Sequence, residues 1–218
     1  TIKDILRLEV APALGCTEPA AVALATAAAA SLLSSKTKIQ KIEVSVDPNI
    51  YKNGMAVSIP GTKGLSGIDM SAALGAFGGK AELKLQVLET IDENSIREAS
   101  DFVKQKKVHI QLLDKQKGIY IIAKLYGEKE TAEAVIKDVH DNIISLKLNE
   151  KEIEIHPLLS KTEKDQNQLA KLESWLTKQS LEDLIALLDQ LDCEDLSFLD
   201  EGVRFNLKLA HHGLTYGS

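Results

Sequence analysis

The sequence has little cysteine, few aromatic residues and no excess of positive charge, and each shortage argues against a class of protein. Two cysteines, Cys16 and Cys193, are too few for a disulfide framework and favour a reducing cytoplasm. The formal net charge is -6 and no basic stripe carries interleaved aromatic residues, so no nucleic-acid partner is expected. The apolar run from Ala20 to Leu33 is too short to span a bilayer, so no membrane partner is expected either.

Metal-binding motifs are also missing. Neither a CxxC nor an HExxH spacing occurs, and the adjacent His211 and His212 would point in different directions on a helix. The composition is otherwise ordinary for a globular protein, with 44% hydrophobic and 27% charged residues among 218. This length allows a sizeable core in one or two domains.

The most distinctive stretch is a short loop between two prolines, Pro12-Ala-Leu-Gly-Cys-Thr-Glu-Pro19. The alanine-rich run after it predicts a central, buried helix, with Thr17 as N-cap and Glu18 and Pro19 in the first turn. Cys16 would then lie beside the helix N-terminus, where the dipole and unpaired N–H groups favour thiolate over thiol. The residues alone allow two interpretations, an activated cysteine or a small buried residue at a helix start.

The residue pattern beyond this stretch predicts an α+β fold. Alternation of apolar and polar residues indicates strands, most of which should form one central antiparallel sheet. The strands are expected at 39–46, 55–59, 108–113, 118–126, 131–139, 143–148 and 149–155. Residues 47–54 are predicted to be a loop with a turn at Asn53-Gly54, and residues 114–117 a hairpin connection.

Helical periodicity predicts the remaining elements. They are expected at 1–9, 68–77, 93–106, 167–176, 181–191 and 195–214, the last interrupted near Gly202. Ser180 should cap the helix that begins at Leu181. A polar linker at 157–165 divides the chain into an α/β domain over 1–157, which carries the cysteine loop, and a helical segment over 158–218.

Three polar features outside the cysteine loop are candidate binding groups. The loop Pro60-Gly-Thr-Lys-Gly-Leu-Ser-Gly67 precedes a helix N-terminus and suits a carboxylate better than a nucleotide, with a plain strand-to-helix connection as the alternative. His140, in a predicted turn, can move protons near neutral pH. Lys52 can pair with a carboxylate and Asn53 can donate an amide hydrogen bond, although surface residues often look the same. Cys193 is interpreted as structural.

The loop between the two prolines resembles the N-terminal signature of the L-cysteine desulfidase family, which is related to the alpha chain of iron–sulfur L-serine dehydratases. Further blocks match in the same order along nearly the whole chain. They are Pro48-Asn49, Lys52-Asn53-Gly54, Ile59-Pro60-Gly61-Thr62, Ala72-Ala-Leu-Gly-Ala-Phe-Gly-Gly79, Leu85-Gln-Val-Leu88, His140-Asp-Asn142 and Asn206-Leu-Lys-Leu-Ala-His-His-Gly-Leu214. The ordered set is more specific than any one block.

The resemblance implies a lyase that eliminates a β-substituent from a small L-amino acid, cysteine or serine, and yields pyruvate and ammonia. It implies a [4Fe–4S] cluster as the Lewis acid, without pyridoxal phosphate. Family members are about twice as long, with their cluster-binding cysteines in the second half. The chain is therefore expected to be the N-terminal part of a longer enzyme, inactive alone, with the amino acid and the missing C-terminal half as partners. Homo-oligomerisation stays open.

The resemblance also implies the site. Cys16 and His140 would be the catalytic residues, and Cys16 would act either in proton transfer or as a conditional ligand. The substrate-binding residues would be Thr17, Glu18, Lys52, Asn53, Gly61, Thr62 and Asn142, on loops that converge on one cleft. No metal ligand is expected within this chain. The alternative from another class is a non-catalytic small-molecule-binding or regulatory domain.

Overall fold

The computed structural model describes residues 2–159, 171–172 and 174–216. The chain divides into two units, which we call the sheet unit, Ala13–Ser160, and the helical unit, Thr1–Pro12 with Lys161–Ser218. The predicted linker is described only at 157–159, and the rest of it lies outside the described residues. The helix predicted at 167–176 is described at 171–172 and 174–176, which are helical.

The sheet unit is built on one mixed sheet. Its strands are β1 (Lys41–Val46), β2 (Val108–Leu112), β3 (Tyr120–Tyr126), β4 (Thr131–Lys137), β5 (Ile143–Leu148) and β6 (Lys151–Glu152), in the order β2-β1-β3-β4-β5-β6. β1 pairs with β2 in parallel, whereas the other neighbours are antiparallel. The hairpin predicted at 114–117 is therefore wrong, because β1 lies between β2 and β3. The antiparallel order from β3 to β6 agrees with the prediction.

The structure also contains helices on either side of the strands in the sequence. They are α1 (Ile2–Glu9), α2 (Thr17–Leu32), α3 (Pro48–Gly54), α4 (Ile68–Gly78), α5 (Glu93–Lys104), α6 (Leu181–Ala186) and α7 (Cys193–Tyr216), with 3-10 segments at Lys36–Lys38, Ala81–Gln86 and Leu187–Gln190. Ser180 caps α6 through a capping box with Asp183, as predicted. The interruption predicted near Gly202 is wrong, since α7 continues through it. Helices and sheet together confirm the α+β class.

The alanine-rich helix α2 is the centre of the sheet unit. Every residue from Pro19 to Ala30 is buried, and the helix packs against α4 and against β3 and β4. Its small side chains allow a close approach, because a Cβ added at Gly75 of α4 would lie 2.2 Å from the Ala23 carbonyl oxygen and 2.3 Å from Thr26 Oγ1. Along β1 and β3 buried residues alternate with partly exposed ones, so these strands turn one face to the core.

The loop predicted at 47–54 is instead the helix α3. The Asp47 carboxylate accepts hydrogen bonds from the backbone N–H groups of Asn49 and Ile50 at 2.8 and 3.2 Å, and Pro48 occupies the first turn. Both features favour a helix start. The other oxygen of this buried carboxylate accepts from the Tyr120 N–H at 2.9 Å, which ties α3 to the sheet.

The strand predicted at 55–59 is also wrong. This segment pairs only through an isolated bridge between Ser58 and Ser66. The Ile59 N–H donates to the Leu65 carbonyl oxygen at 2.8 Å, because the glycine-rich loop folds back on the segment that precedes it. Within the described ranges, no helix combines the length and the apolar character that crossing a membrane requires.

Replacing Gly75 with alanine tests the close contact of α2 and α4. The added methyl group would meet a backbone oxygen and a buried hydroxyl, so we expect Gly75→Ala to lower the free energy of unfolding by about 1–3 kcal/mol, the usual cost of overpacking. Urea unfolding followed by circular dichroism measures it. Gly202→Ala is the matched control, because nothing lies within 4 Å of its added Cβ, and it should be neutral or stabilising. A fully stable Gly75→Ala variant would contradict the close packing.

Candidate functional site

The cysteine loop lies at the N-terminal end of the buried helix α2. Cys16 itself is the N-cap residue, with φ -72° and ψ 135°, so the cap predicted at Thr17 is wrong by one position. The Cys16 thiol does not cap the helix but donates to Glu18 Oε2 at 2.8 Å. Gly15, at φ +77°, lets the loop pass Pro60 closely, since a Cβ there would lie 2.6 Å from Pro60 Cγ.

Glu18 connects the cysteine loop to α3. Its Oε1 accepts a hydrogen bond from Asn53 Nδ2 at 2.9 Å, and the Thr17 hydroxyl donates to Oε2 at 3.4 Å. Burial tends to raise the pKa of Glu18, but the hydrogen bonds from Cys16 and Asn53 and the charge of His140 outweigh it, so the pKa of Glu18 is lowered. We call Cys16, Thr17, Glu18, Asn53 and His140 the Glu18 cluster.

Of the two interpretations that the residues allow, the surroundings of Cys16 favour a partly buried residue at a helix start over an activated cysteine. Burial, followed by the hydrogen bond to the Glu18 carboxylate, raises the pKa of the Cys16 thiol above its ordinary value. The helix N-terminus is present, as the sequence predicts, and it favours the thiolate. The negative charge of Glu18 and the burial of the sulfur favour the thiol. Cys16 is therefore a thiol near neutral pH.

Cys16 also lines a small cavity in the sheet unit. The apolar residues around it include Leu14, Pro19, Ile59, Pro60, Leu85 and Leu88. The cavity volume is about 10 Å³, which is roughly the room that one water molecule needs. The sulfur therefore stands between a carboxylate and an apolar cavity that is too small for an amino acid in this structure.

His140 lies in the turn between β4 and β5 and is half-buried. Asn142, predicted to bind substrate, donates from Nδ2 to the Lys137 carbonyl oxygen at 2.7 Å and so holds this turn. Lys84 Nζ contacts Asp141 at 3.1 Å and connects the turn to the 3-10 segment Ala81–Gln86. Sequence reasoning missed this ion pair, although Asp141 lies in the matched block with His140.

Three predicted binding residues, Lys52, Gly61 and Thr62, are not hydrogen-bonded or ion-paired to the Glu18 cluster within the described part of the chain. Lys52 is exposed in the last turn of α3, and Gly61 is exposed at φ +78°. Thr62 is buried and its hydroxyl donates to the Ile59 carbonyl oxygen at 2.6 Å, so it holds its own loop.

In the ranges 2–159, 171–172 and 174–216, no three His, Cys, Asp or Glu side chains gather as metal ligands. A [4Fe–4S] cluster usually takes about four thiolates, whereas the chain has two cysteines. Cys193, interpreted from the sequence as structural, is exposed at the first residue of α7.

The chain is similar over its whole length to curated proteins named UPF0597. It is 50% identical to the UPF0597 protein of Desulfatibacillum aliphaticivorans over 218 residues, 49% identical to that of Desulforapulum autotrophicum over 215, and 47% identical to that of Desulfotalea psychrophila over 220. These matches cover 100%, 98% and 100% of this chain but 50%, 49% and 50% of the relatives, so the chain spans about half their length. No protein-family model and no solved structure matches the chain.

The environment of the two cysteines predicts their order of reaction with iodoacetamide. Cys16 should be labelled more slowly than Cys193 at pH 8, because its sulfur is half-buried and burial and Glu18 raise its pKa, whereas Cys193 is exposed. Peptide mass spectrometry of the folded chain measures both rates in one sample. Faster labelling of Cys16 would contradict this description of the site.

Proposed function

We propose that the sheet unit carries part of the active site of a lyase acting on a small L-amino acid. The enzyme would eliminate sulfide from cysteine or water from serine and form pyruvate and ammonia. The observation that supports the proposal is the set of interactions made by the Glu18 carboxylate. It accepts hydrogen bonds from Cys16 at 2.8 Å and from Asn53 at 2.9 Å, and it interacts electrostatically with His140. The ordered blocks that resemble the L-cysteine desulfidase family support the same reaction.

The groups of the Glu18 cluster match what this elimination needs from the protein. His140 accepts the proton from Cα, the bond from Cβ to sulfur or oxygen breaks, and the leaving group takes the thiol proton of Cys16 and departs as hydrogen sulfide or water. The enamine that remains becomes an imine, which water hydrolyses to pyruvate and ammonia. Cys16 and His140 are the proton-transfer groups. Glu18 and Asn53 face the amino acid's ammonium group, and Thr17 lies beside them at the helix start.

A substrate carboxylate would meet positive charge and a backbone N–H group at the edge of this cluster. Lys52 stands exposed beside Asn53 in the last turn of α3 and supplies the charge. In the loop at 60–67 the N–H and the hydroxyl of Thr62 both donate to the Ile59 carbonyl oxygen, so the Gly61 N–H is the group of this loop that we assign to the carboxylate.

The iron–sulfur cluster that the resemblance implies would supply Lewis-acid chemistry at the leaving group. Its ligands would come from elsewhere in the longer protein, because this chain has two cysteines. The chain alone should therefore be inactive. An enzyme with such a cluster and unpaired cysteines suits the reducing cytoplasm.

The helix α7 supports the proposal that further polypeptide packs on the helical unit. Apart from Leu199, which is half-buried, the large apolar side chains at 196–214 are between 41% and 90% exposed. Along one side they are Leu196, Val203, Leu207 and Leu214, and along the opposite side Phe198, Phe205 and Leu209. A helix that is apolar on two sides is typical of a buried element. We assign these faces to the other half of the full-length protein, since the similar proteins are about twice as long.

Product release by the full-length protein tests the lyase proposal. The protein, prepared without oxygen, should release sulfide and pyruvate from cysteine, or pyruvate from serine. Cys16→Ala and His140→Gln should each lower kcat by about 100-fold or more, the usual contribution of a proton-transfer group. Glu93→Gln, at an exposed glutamate in the first turn of α5, is the control and should keep full activity.

Two outcomes would overturn this proposal. One is full activity of Cys16→Ala and His140→Gln. The other is binding of cysteine or serine by the full-length protein without any product, which would favour the small-molecule-binding or regulatory domain instead.

Hydrogen exchange tests the packing of α7. The amides of α7 should exchange at least about tenfold more slowly in the full-length protein than in this chain, because a covered helix opens less often. Leu207→Glu should remove much of this protection, whereas Lys208→Gln, the next residue along the helix, should not. Equally fast exchange of α7 in the two proteins would show that nothing covers it.

A further inference from the structure

We propose that Glu18 is a positioning residue whose carboxylate, held by Asn53, keeps Cys16 in the thiol form and fixes the direction of its S–H bond. As a statement about catalysis this rests on the proposed function, in which Cys16 transfers protons. The hydrogen bonds themselves do not depend on that function.

Both oxygens of the Glu18 carboxylate are engaged. Oε2 accepts from Cys16 Sγ at 2.8 Å and from the Thr17 hydroxyl at 3.4 Å, and Oε1 accepts from Asn53 Nδ2 at 2.9 Å. A glutamate in the first turn of a helix ordinarily needs only water around it to interact with the helix dipole. Here the carboxylate is attached to the start of α2 and to the end of α3, so its orientation is fixed from two elements.

The charges around Glu18 favour its ionised form. His140, from the turn between β4 and β5, acts on Glu18 through its charge. Lys52 is exposed on α3 and makes no ion pair with Glu18 within the described residues. In the same turn Asp141 is paired with Lys84 at 3.1 Å, which offsets its negative charge. A negative carboxylate 2.8 Å from sulfur makes a second negative charge on the thiolate unfavourable.

The position of the Cys16 sulfur decides whether the proton shared with Glu18 stays on sulfur or moves to the carboxylate. Cys16 lines the small apolar cavity on one side and meets Glu18 on the other. Burial and the carboxylate together raise the pKa of Cys16, while the hydrogen bonds outweigh burial and lower the pKa of Glu18. The proton therefore stays on sulfur, and the negative charge stays on the carboxylate.

The pH profile of Cys16 alkylation in the 218-residue chain tests this assignment without substrate or cofactor. Glu18→Gln removes the charge and keeps an acceptor of the same shape, so the pKa of Cys16 should fall. At pH 8, labelling of Cys16 by iodoacetamide should become at least about threefold faster, which corresponds to a shift of about half a pKa unit. Cys193, in the same sample, should keep its rate.

Two further variants separate the assignment from a general loosening of the site. Glu93→Gln makes the same chemical change in the first turn of α5 and should leave the Cys16 profile unchanged. Asn53→Ser, at an exposed position, removes the hydrogen bond from Asn53 to the Glu18 carboxylate. The pH profile of Cys16 alkylation should then shift in the same direction as in Glu18→Gln, by a smaller factor. This variant also decides the question if Glu18→Gln does not fold.

An unchanged Cys16 profile in both Glu18→Gln and Asn53→Ser would overturn the assignment, even if the full-length protein proves to be a lyase. A shifted profile would support it even if the full-length protein releases no product. The two proposals can therefore fail separately.

Discussion

The close approach of α2 and α4 is the constraint on which the rest of the sheet unit depends. Gly75 leaves no room for a Cβ beside Ala23 and Thr26, and a Cβ at Gly79 would lie 2.9 Å from that of Ala27. Alanine and glycine allow two backbones to pack almost directly on each other, which large side chains would prevent. The buried alanine helix thereby gains many short contacts, and its two ends are held in place.

Fixing α2 also fixes the groups at its N-terminal end. The helix begins at the cysteine loop, which Gly15 allows to lie against Pro60. The capping of α3 by Asp47 brings Asn53 to Glu18, and the meander of β4 and β5 brings His140 near the same carboxylate. The cluster is therefore built from parts of the chain that are far apart in sequence, on elements that packing holds rigid.

The sequence predicts the elements whose pattern is local. The alanine run is helical as its composition predicts, the helix α5 buries one face, and burial alternates along the strands β1 and β3. The predictions that are wrong concern structure that depends on contacts between residues far apart in the sequence. Whether β2 joins β3 or β1 depends on pairing across the sheet, which no local pattern specifies. The helix α3 had a local signal, Asp47 followed by Pro48, which the polar composition of 47–54 concealed.

The protonation of Cys16 depends on contacts that the sequence pattern alone does not specify. The sequence places Cys16 at a helix start, and the dipole argument then favours a thiolate. Its half-buried sulfur and the carboxylate two residues later reverse that conclusion. Glu18 was a predicted binding residue, but its hydrogen bond with Asn53 depends on the packing of α3, which was expected to be a loop.

The central claim is that Glu18 joins Cys16, Asn53 and His140 into one electrostatic unit. A ¹³C NMR titration of the Glu18 carboxyl group tests it most directly. The account predicts a pKa below the ordinary value of a glutamate side chain, about 4.3, and a rise towards that value in Asn53→Ala, because the hydrogen bonds from Cys16 and Asn53 outweigh the effect of burial. A Glu18 pKa at or above the ordinary value, unchanged by Asn53→Ala, would contradict it.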